Sequence, residues 1–234
     1  MTMSQAEQTL ESIQSDFDRI ALLADETWNH TAHYHSFLIN YLPVKCRHIL
    51  EIGCGTGEFS RLLAERAEKV LAVDLSPQMI RLALESSKLY PNIDFVESDV
   101  MTYQLPDSHF DGIATLTTLH HLPMKDILKN IKKALKPGGT FVCLDLYQRS
   151  NLADLFFDAV AYPTSRFLTL KKTGKFRPSR EFREAYAEHG KTDTYLPLPQ
   201  IEQICADILP GAFVRRHLFW RYSIIWKKEN EEKA

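Results

Sequence analysis

The segment Glu51-Ile52-Gly53-Cys54-Gly55-Thr56-Gly57 limits the fold more than any other part of the chain. It directly follows a short apolar run, HILEI at 48–52, and directly precedes a helical pattern at 59–67. Alternating glycines at such a junction tolerate positive φ and let backbone approach a ligand closely. A strand, a glycine-rich turn and a helix in succession predict a loop of exposed amides at the strand's carboxyl end, where open α/β sheets bind ligands. Glycine-rich turns also serve tight packing alone. Three alternating glycines after a buried strand favour the ligand loop.

The rest of the chain repeats this rhythm. VLAVD at 70–74, IDFVE at 93–97, FDGIATL at 110–116 and TFVCLDL at 140–146 read as further strands. Ser76 and Pro77 supply an N-cap and a first-turn proline for a helix reaching about Ser87. A helix at 125–135 separates the fourth and fifth strands, and Pro137-Gly138-Gly139 predicts a turn. Strands that are almost continuously apolar, alternating with helices, predict a parallel sheet covered on both faces. Right-handed crossovers make that sheet doubly wound. Near the end, runs at 213–218 and 222–227 flank Phe219-Trp220-Arg221 and predict an antiparallel hairpin that closes the sheet.

Two regions fall outside the rhythm. Residues 4–24 carry Leu10, Ile13, Phe17, Ile20 and Ala24 at helical spacing, and a second helix is expected over about 31–41, before Pro43. Residues 147–200 look helical and polar, with Lys171, Lys172, Lys175, Arg177, Arg180 and Arg183 set against Glu181. The expected organisation is one domain over 1–234, with an N-terminal helical segment (1–42) and a helical cap insertion (147–200).

Composition narrows the partners. With 28 Lys+Arg and 30 Asp+Glu among 234 residues, the net charge of −2 argues against a dedicated nucleic-acid binder. No apolar run reaches the roughly 18 residues of a membrane span, so no membrane partner is expected. The polar, acidic start has neither a secretory nor a transit pattern. Cys46, Cys54, Cys143 and Cys205 form no C-x-x-C pair, which points to reduced thiols and a cytoplasmic protein.

The ligand can be narrowed from the loop. A dinucleotide fingerprint wants glycine at its sixth position, which here is Glu58, and a carboxylate there opposes a pyrophosphate. The phosphate loop with its Lys-Ser/Thr ending is also missing, so an uncharged or zwitterionic nucleoside fits better. Asp74 ends the second strand, 21 residues beyond Gly53, where an acid can accept from both ribose hydroxyls or cap a helix. Asp99 follows the third strand, where it can accept from an adenine amino group or simply make a turn.

ILEIGCGTGEFS, the acid in VLAVDLSPQMI, FVESDV, FDGIATLTTLHHL and ALKPGGTFVCLDL occur in the order and spacing of a class I S-adenosylmethionine-dependent methyltransferase, which the chain resembles over about 30–146. The resemblance implies a seven-stranded Rossmann-like sheet of order 3-2-1-4-5-7-6, with strand 7 antiparallel. It implies S-adenosyl-L-methionine as cofactor. Glu51 and the loop Gly53, Cys54, Gly55, Thr56 and Gly57 would contact or shape the methionine pocket. Asp74 would bind the ribose, Leu75 and Met79 would flank the adenosine, and Asp99 and Val100 would meet the adenine. Thr115 and Leu116 would line the pocket near the sulfonium. Trp28 and Tyr34, on the N-terminal segment, are candidates to touch cofactor or acceptor.

His120, His121 and His30 are candidate catalytic residues, because a histidine near neutral pKa can take a proton from an acceptor. Structural roles for them stay open. His30, His33 and His35 lack a carboxylate placed to complete a metal cluster, so no metal is expected. The expected reaction is methyl transfer to a small molecule. RNA or protein methylation, a non-catalytic S-adenosylmethionine-binding subunit and a nicotinamide oxidoreductase are the competing readings.

Overall fold

The computed structural model describes residues 30–149, 152–174 and 193–230, together with 14, 15, 17, 18, 179–181, 184, 187 and 190. Among these residues seven strands form one sheet: β1 (Cys46–Ile52), β2 (Ala67–Asp74), β3 (Ile93–Glu97), β4 (Phe110–Leu116), β5 (Leu135–Leu146), β6 (Phe213–Arg216) and β7 (Arg221–Lys227). Their order is β3-β2-β1-β4-β5-β7-β6, as expected. The first five are parallel, and β7 runs antiparallel to both β5 and β6.

The helices are α1 (His35–Ile39), α2 (Glu58–Ala64), α3 (Pro77–Ser86), α4 (Met124–Ala134), α5 (Leu152–Thr173) and α6 (Leu198–Ile208). They cover both faces of the sheet, which is why β1 and β4 show no polar alternation. Leu50, Ile52 and Ile113 face Ile127, Leu128 and Ile131 of α4 and Ile201 and Ile204 of α6. Ile49, Ala72 and Ala114 face the other way, toward Leu38, Leu42, Phe59 and Leu63. The i, i+1, i+4 spacing of the α4 residues makes one helix stripe match the sheet. Below the sheet, Asp111 accepts from Arg47 N at 2.8 Å, His48 N at 2.9 Å and Lys136 Nζ at 2.7 Å, tying the starts of β1, β4 and β5 together.

Two local expectations change. Pro137-Gly138-Gly139 is no turn before the fifth strand; it lies within β5. The register against β4 jumps from Phe110↔Leu135 to Gly112↔Thr140, so the extra residues form a bulge. Gly138 takes φ +77° there and donates its N–H to Lys228 O at 2.8 Å. The helix expected over 31–41 divides into a 3₁₀ turn (Ala32–Tyr34) and the short α1. Of the stripe in 4–24, Phe17 is described and packs on Met79 and Leu82. Leu10, Ile13, Ile20 and Ala24 lie outside the described residues, as do Lys175, Arg177 and Arg183 of the basic run.

No helix among the described residues is long and apolar enough to cross a membrane. Because β7 is antiparallel to β5, Arg221 returns to the level of Leu146, at the carboxyl edge of the parallel strands. The tip of the terminal hairpin thus rises on the same edge as the glycine loop. Ile113 sits at the middle of the sheet and is fully buried. Ile113→Ala is expected to cost about 2–5 kcal/mol of stability by leaving a cavity, read as a lower urea midpoint at unchanged slope.

Candidate active site

The glycine loop needs its glycines. Gly53, Gly55 and Gly57 all have positive φ, at +72°, +52° and +74°. A Cβ on Gly53 would lie 2.0 Å from Thr118 Oγ1, so the loop and the segment after β4 approach too closely for any side chain. A Cβ on Gly55 would meet no protein atom within 4 Å. The loop is held chiefly by the end of β2. Gly53 N and Cys54 N donate to Val73 O, Gly57 N donates to Cys54 O, and Gly55 N donates to Asp74 Oδ2 at 2.7 Å. These four amides are therefore spent on holding the loop, which corrects the expectation of a loop of exposed amides. Arg61 adds a bond to Thr56 O at 3.1 Å.

Glu51 lies at the base of the loop, 2% exposed. Ser60 Oγ of α2 donates to its Oε2 at 2.5 Å. Burial pushes its pKa up to about 8, against the relief given by Ser60, and the nearby Asp74 adds to the rise. Asp74 ends β2. Its Oδ1 accepts from Ser76 N at 2.9 Å while its Oδ2 holds Gly55. Burial raises its pKa as well.

Ser76 Oγ caps α3 by accepting from Met79 N at 3.0 Å, as its position before Pro77 predicts. Asp18 then accepts from Ser76 Oγ at 2.5 Å and from Gln78 N at 3.3 Å. A carboxylate there suits the positive end of the helix. Leu75 is half-buried and Met79 is buried under Phe17. The N-terminal segment therefore reaches the end of β2 through Phe17 and Asp18. Asp18 carried no sequence signal beyond an acidic, amphipathic stretch.

Asp99 makes the turn after β3, its Oδ1 accepting from Met101 N at 2.8 Å, and Val100 is buried beside it. At the end of β4, Thr115 and Leu116 are buried. Among the described residues, Thr115 Oγ1 has no hydrogen-bond partner. Thr117 follows with φ +50°, a rare conformation for a β-branched residue and a strained one. Its N–H donates to Leu144 O at 2.7 Å.

His120 and His121 lie in the 3₁₀ turn after β4 (Leu119–His121). Asp145, fully buried at the end of β5, accepts from His120 N at 2.7 Å and from His120 Nδ1 at 2.6 Å. Burial opposes a charged His120, yet the carboxylates of Asp145 and Asp193 raise its pKa above the ordinary value. The sequence offered a signal for Asp145, another acid at a strand end like Asp74. Asp193 sits in a polar stretch with no periodicity to mark it.

His30 is placed differently. It is hydrogen-bonded to Ser165 of α5 at 2.8 Å, and its ring packs on Phe219 and Trp220 at the hairpin tip. Burial lowers its pKa to about 4, helped by the Arg221 guanidinium. Phe219 and Trp220 both take φ +61°, unusual for aromatic residues. Tyr34 is buried and donates to Leu218 O at 3.1 Å. Arg221 reaches Thr31 Oγ1 at 3.0 Å. Trp28, Phe156 and Phe157 carry no described side chain.

A family profile for the methyltransferase domain matches residues 49–139, the stretch that carries the glycine loop, Asp74, Asp99 and the end of β4. An uncharacterized methyltransferase of Mycobacterium tuberculosis is 27% identical over 207 residues, covering 87% of this chain and 98% of that protein. Residues 49–139 are a methyltransferase domain, and the chain resembles S-adenosylmethionine-dependent methyltransferases in sequence and fold. A ubiquinone/menaquinone biosynthesis C-methyltransferase of Azotobacter vinelandii is 33% identical over 123 residues, or 49% of this chain and 48% of that protein. The solved N-methyltransferase NodS of Bradyrhizobium japonicum, in complex with S-adenosyl-L-homocysteine, shares the fold at TM-score 0.59 and 18% identity, over 92% of this chain and 100% of that one.

A methyltransferase domain on this fold implies S-adenosylmethionine as cofactor. The residues present suit it. Glu51 is a buried carboxyl beside the loop, matched to an ammonium group. Gly55 leaves a cradle that a side chain would fill, and Thr115 Oγ1 is a buried polar atom without a protein partner.

Glu51 also sets a pH dependence. Its folded-state pKa lies above the ordinary carboxyl value, so the stability Glu51 contributes is fully present below that ordinary value and is lost as pH rises through about 8. Glu51→Gln is expected to flatten this slope. Urea midpoints of both proteins from about pH 5 to about pH 9 measure it.

Proposed function

We propose that this methyltransferase acts on a small-molecule nucleophile bound where the hairpin tip, the N-terminal segment and α5 meet. The observation that carries this reading is a set of three contacts between parts distant in sequence: Arg221 to Thr31, His30 to Ser165 and Tyr34 to Leu218. Together they wall the edge of the sheet beyond β4 and β5. An edge closed by three parts of the chain suits a small acceptor better than a polynucleotide. The quinone-biosynthesis relative, 33% identical over half the chain, supports the same class.

Within this reading Glu51 and the loop Gly53, Cys54, Gly55, Thr56 and Gly57 hold the methionine part. Asp74 takes the ribose hydroxyls. Each of its oxygens accepts more than one hydrogen bond, so both keep capacity beyond Gly55 and Ser76. Leu75 and Met79 flank the adenosine, Asp99 and Val100 meet the adenine, and Thr115 and Leu116 line the space near the sulfur. Trp28 belongs to the same N-terminal segment, and Tyr34 serves the wall.

Bound there, S-adenosylmethionine supplies an activated methyl group on its sulfonium. The protein's work is alignment and exclusion of water. His120, His121 and His30 are the side chains able to take a proton from a protonated acceptor; an amine or thiolate needs none. The described residues hold all four cysteines as buried free thiols, which supports a cytoplasmic setting.

Transfer of a labelled methyl group across a panel of phenols, quinols, amines, carboxylates, RNA and protein tests the class. Label in a small molecule is expected; label confined to RNA or protein overturns the reading. Asp74→Ala should weaken cofactor binding by roughly tenfold or more, through lost charge-assisted hydrogen bonds. Unchanged affinity in the folded variant removes the ribose assignment. Gly55→Val should abolish cofactor binding in calorimetry, with about 1–3 kcal/mol of strain from its positive φ.

A further inference from the structure

His120, His121 and Asp193 bring three potential ligand atoms within 4.8 Å of one another. His120 Nε2 lies 3.9 Å from Asp193 Oδ2, and His121 Nδ1 lies 3.6 Å from Asp193 Oδ1. Both separations are long for a direct hydrogen bond. Two atoms that each sit about 2.0–2.2 Å from one ion are spaced only a few tenths of an ångström closer than this. The three side chains are 3–5% exposed.

The groups behind the candidate ligands fit the same purpose. Asp145 accepts from His120 Nδ1 at 2.6 Å, which leaves Nε2 as the nitrogen turned toward Asp193. A carboxylate behind a ligating imidazole is the usual outer partner at metal centres, because it fixes the tautomer and ring orientation. Tyr195 donates to Asp193 Oδ2 at 2.5 Å and fixes the second ligand. The His121 ring is packed between His120, at 3.9 Å, and Phe17, at 5.3 Å. Two of the three ligands thus have a dedicated partner, and the third is clamped by rings.

We propose that His120, His121 and Asp193 form a mononuclear site for a divalent transition-metal ion. Two imidazoles and one carboxylate select zinc, cobalt, iron or manganese over calcium and magnesium. The charges of Asp193 and Asp145 balance a dication. Three protein ligands leave a tetrahedral ion one open position, and an acceptor oxygen placed there loses its proton more readily. With an ion bound, His120 and His121 would serve as ligands and not as bases, and an acceptor hydroxyl at the open position would bind as its alkoxide or phenolate, its proton leaving to water. Such a site departs from the expectation of no metal, which weighed only His30, His33 and His35.

The full chain, stripped with a chelator and desalted, is titrated with Zn²⁺ and with Co²⁺. Bound metal is counted by elemental analysis, and the cobalt spectrum identifies the ligands. The expected result is about one ion per chain, with ligand-field bands of nitrogen and oxygen donors and no thiolate charge-transfer band. Asp193→Ala and His121→Ala should weaken binding at least about tenfold, and Asp145→Asn, which leaves every ligand in place, should weaken it by about 10–100-fold. Circular dichroism checks that each variant is folded, and Tyr195→Phe gives a milder outer-partner variant.

The proposal is overturned if the folded wild type binds no ion, if Asp193→Ala binds as tightly as wild type, or if thiolate bands place the ion on cysteine. The readout is metal binding and not activity, so its failure leaves the small-molecule reading untouched, and the reverse also holds.

Discussion

The pairing of β1 with β4 is the constraint on which the rest of the structure depends. From β1 the chain crosses to β2 and β3 on one side; β4 and β5 build the other. The connections leave in opposite directions at this point, so a crevice opens between the carboxyl ends of the two strands. The glycine loop rises on one side of it and Thr115 to His121 on the other. Gly53 packs directly on Thr118, so the two sides meet with no room for a side chain. Placing the glycine loop beside the groups around His120 follows from strand order.

Polar groups at strand ends cost free energy unless they are bonded, and this edge concentrates them. Asp74 meets the cost with two backbone N–H groups, Asp145 with backbone and ring N–H groups of His120, and Glu51 with a serine hydroxyl. Each bond also ties two elements together. Asp74 joins β2 to the glycine loop, and Asp145 joins β5 to the turn after β4. The same desolvation that raises the pKa values of Glu51 and Asp74 strengthens their attraction for a cationic or hydroxyl-bearing ligand. Stability is thus tied to the groups that would hold the cofactor.

Much of the sheet was legible because its central strands are buried on both faces and read as continuous apolar runs. The β3 and β4 runs match their observed limits, while β1 and β2 begin two or three residues earlier than their apolar cores. Pro137-Gly138-Gly139 misled for a physical reason. Glycine and proline mark a local break in backbone geometry, and a bulge within a strand is also such a break. The glycine loop and the acids at the strand ends, the candidate cofactor residues, were legible as well. Asp193 and Asp18 were not, since each acts through a partner far away in sequence, and Tyr195 was not, since its hydrogen bond is to Asp193.

The amino-acid pattern by itself determined the alternation of strands and helices, the glycine loop and the acids at the ends of β2 and β3. These are local matters of side-chain period, backbone freedom and turn chemistry. Tertiary structure decided which distant segments meet at the carboxyl edge of the sheet: Thr31 against Arg221, His30 against Ser165, and Asp193 beside the two histidines. Those contacts depend on how the antiparallel β7 returns the chain to the carboxyl edge of the sheet and on where α5 and the segment before α6 come to rest. That geometry arises from packing over the whole sheet, and no short stretch of sequence encodes it.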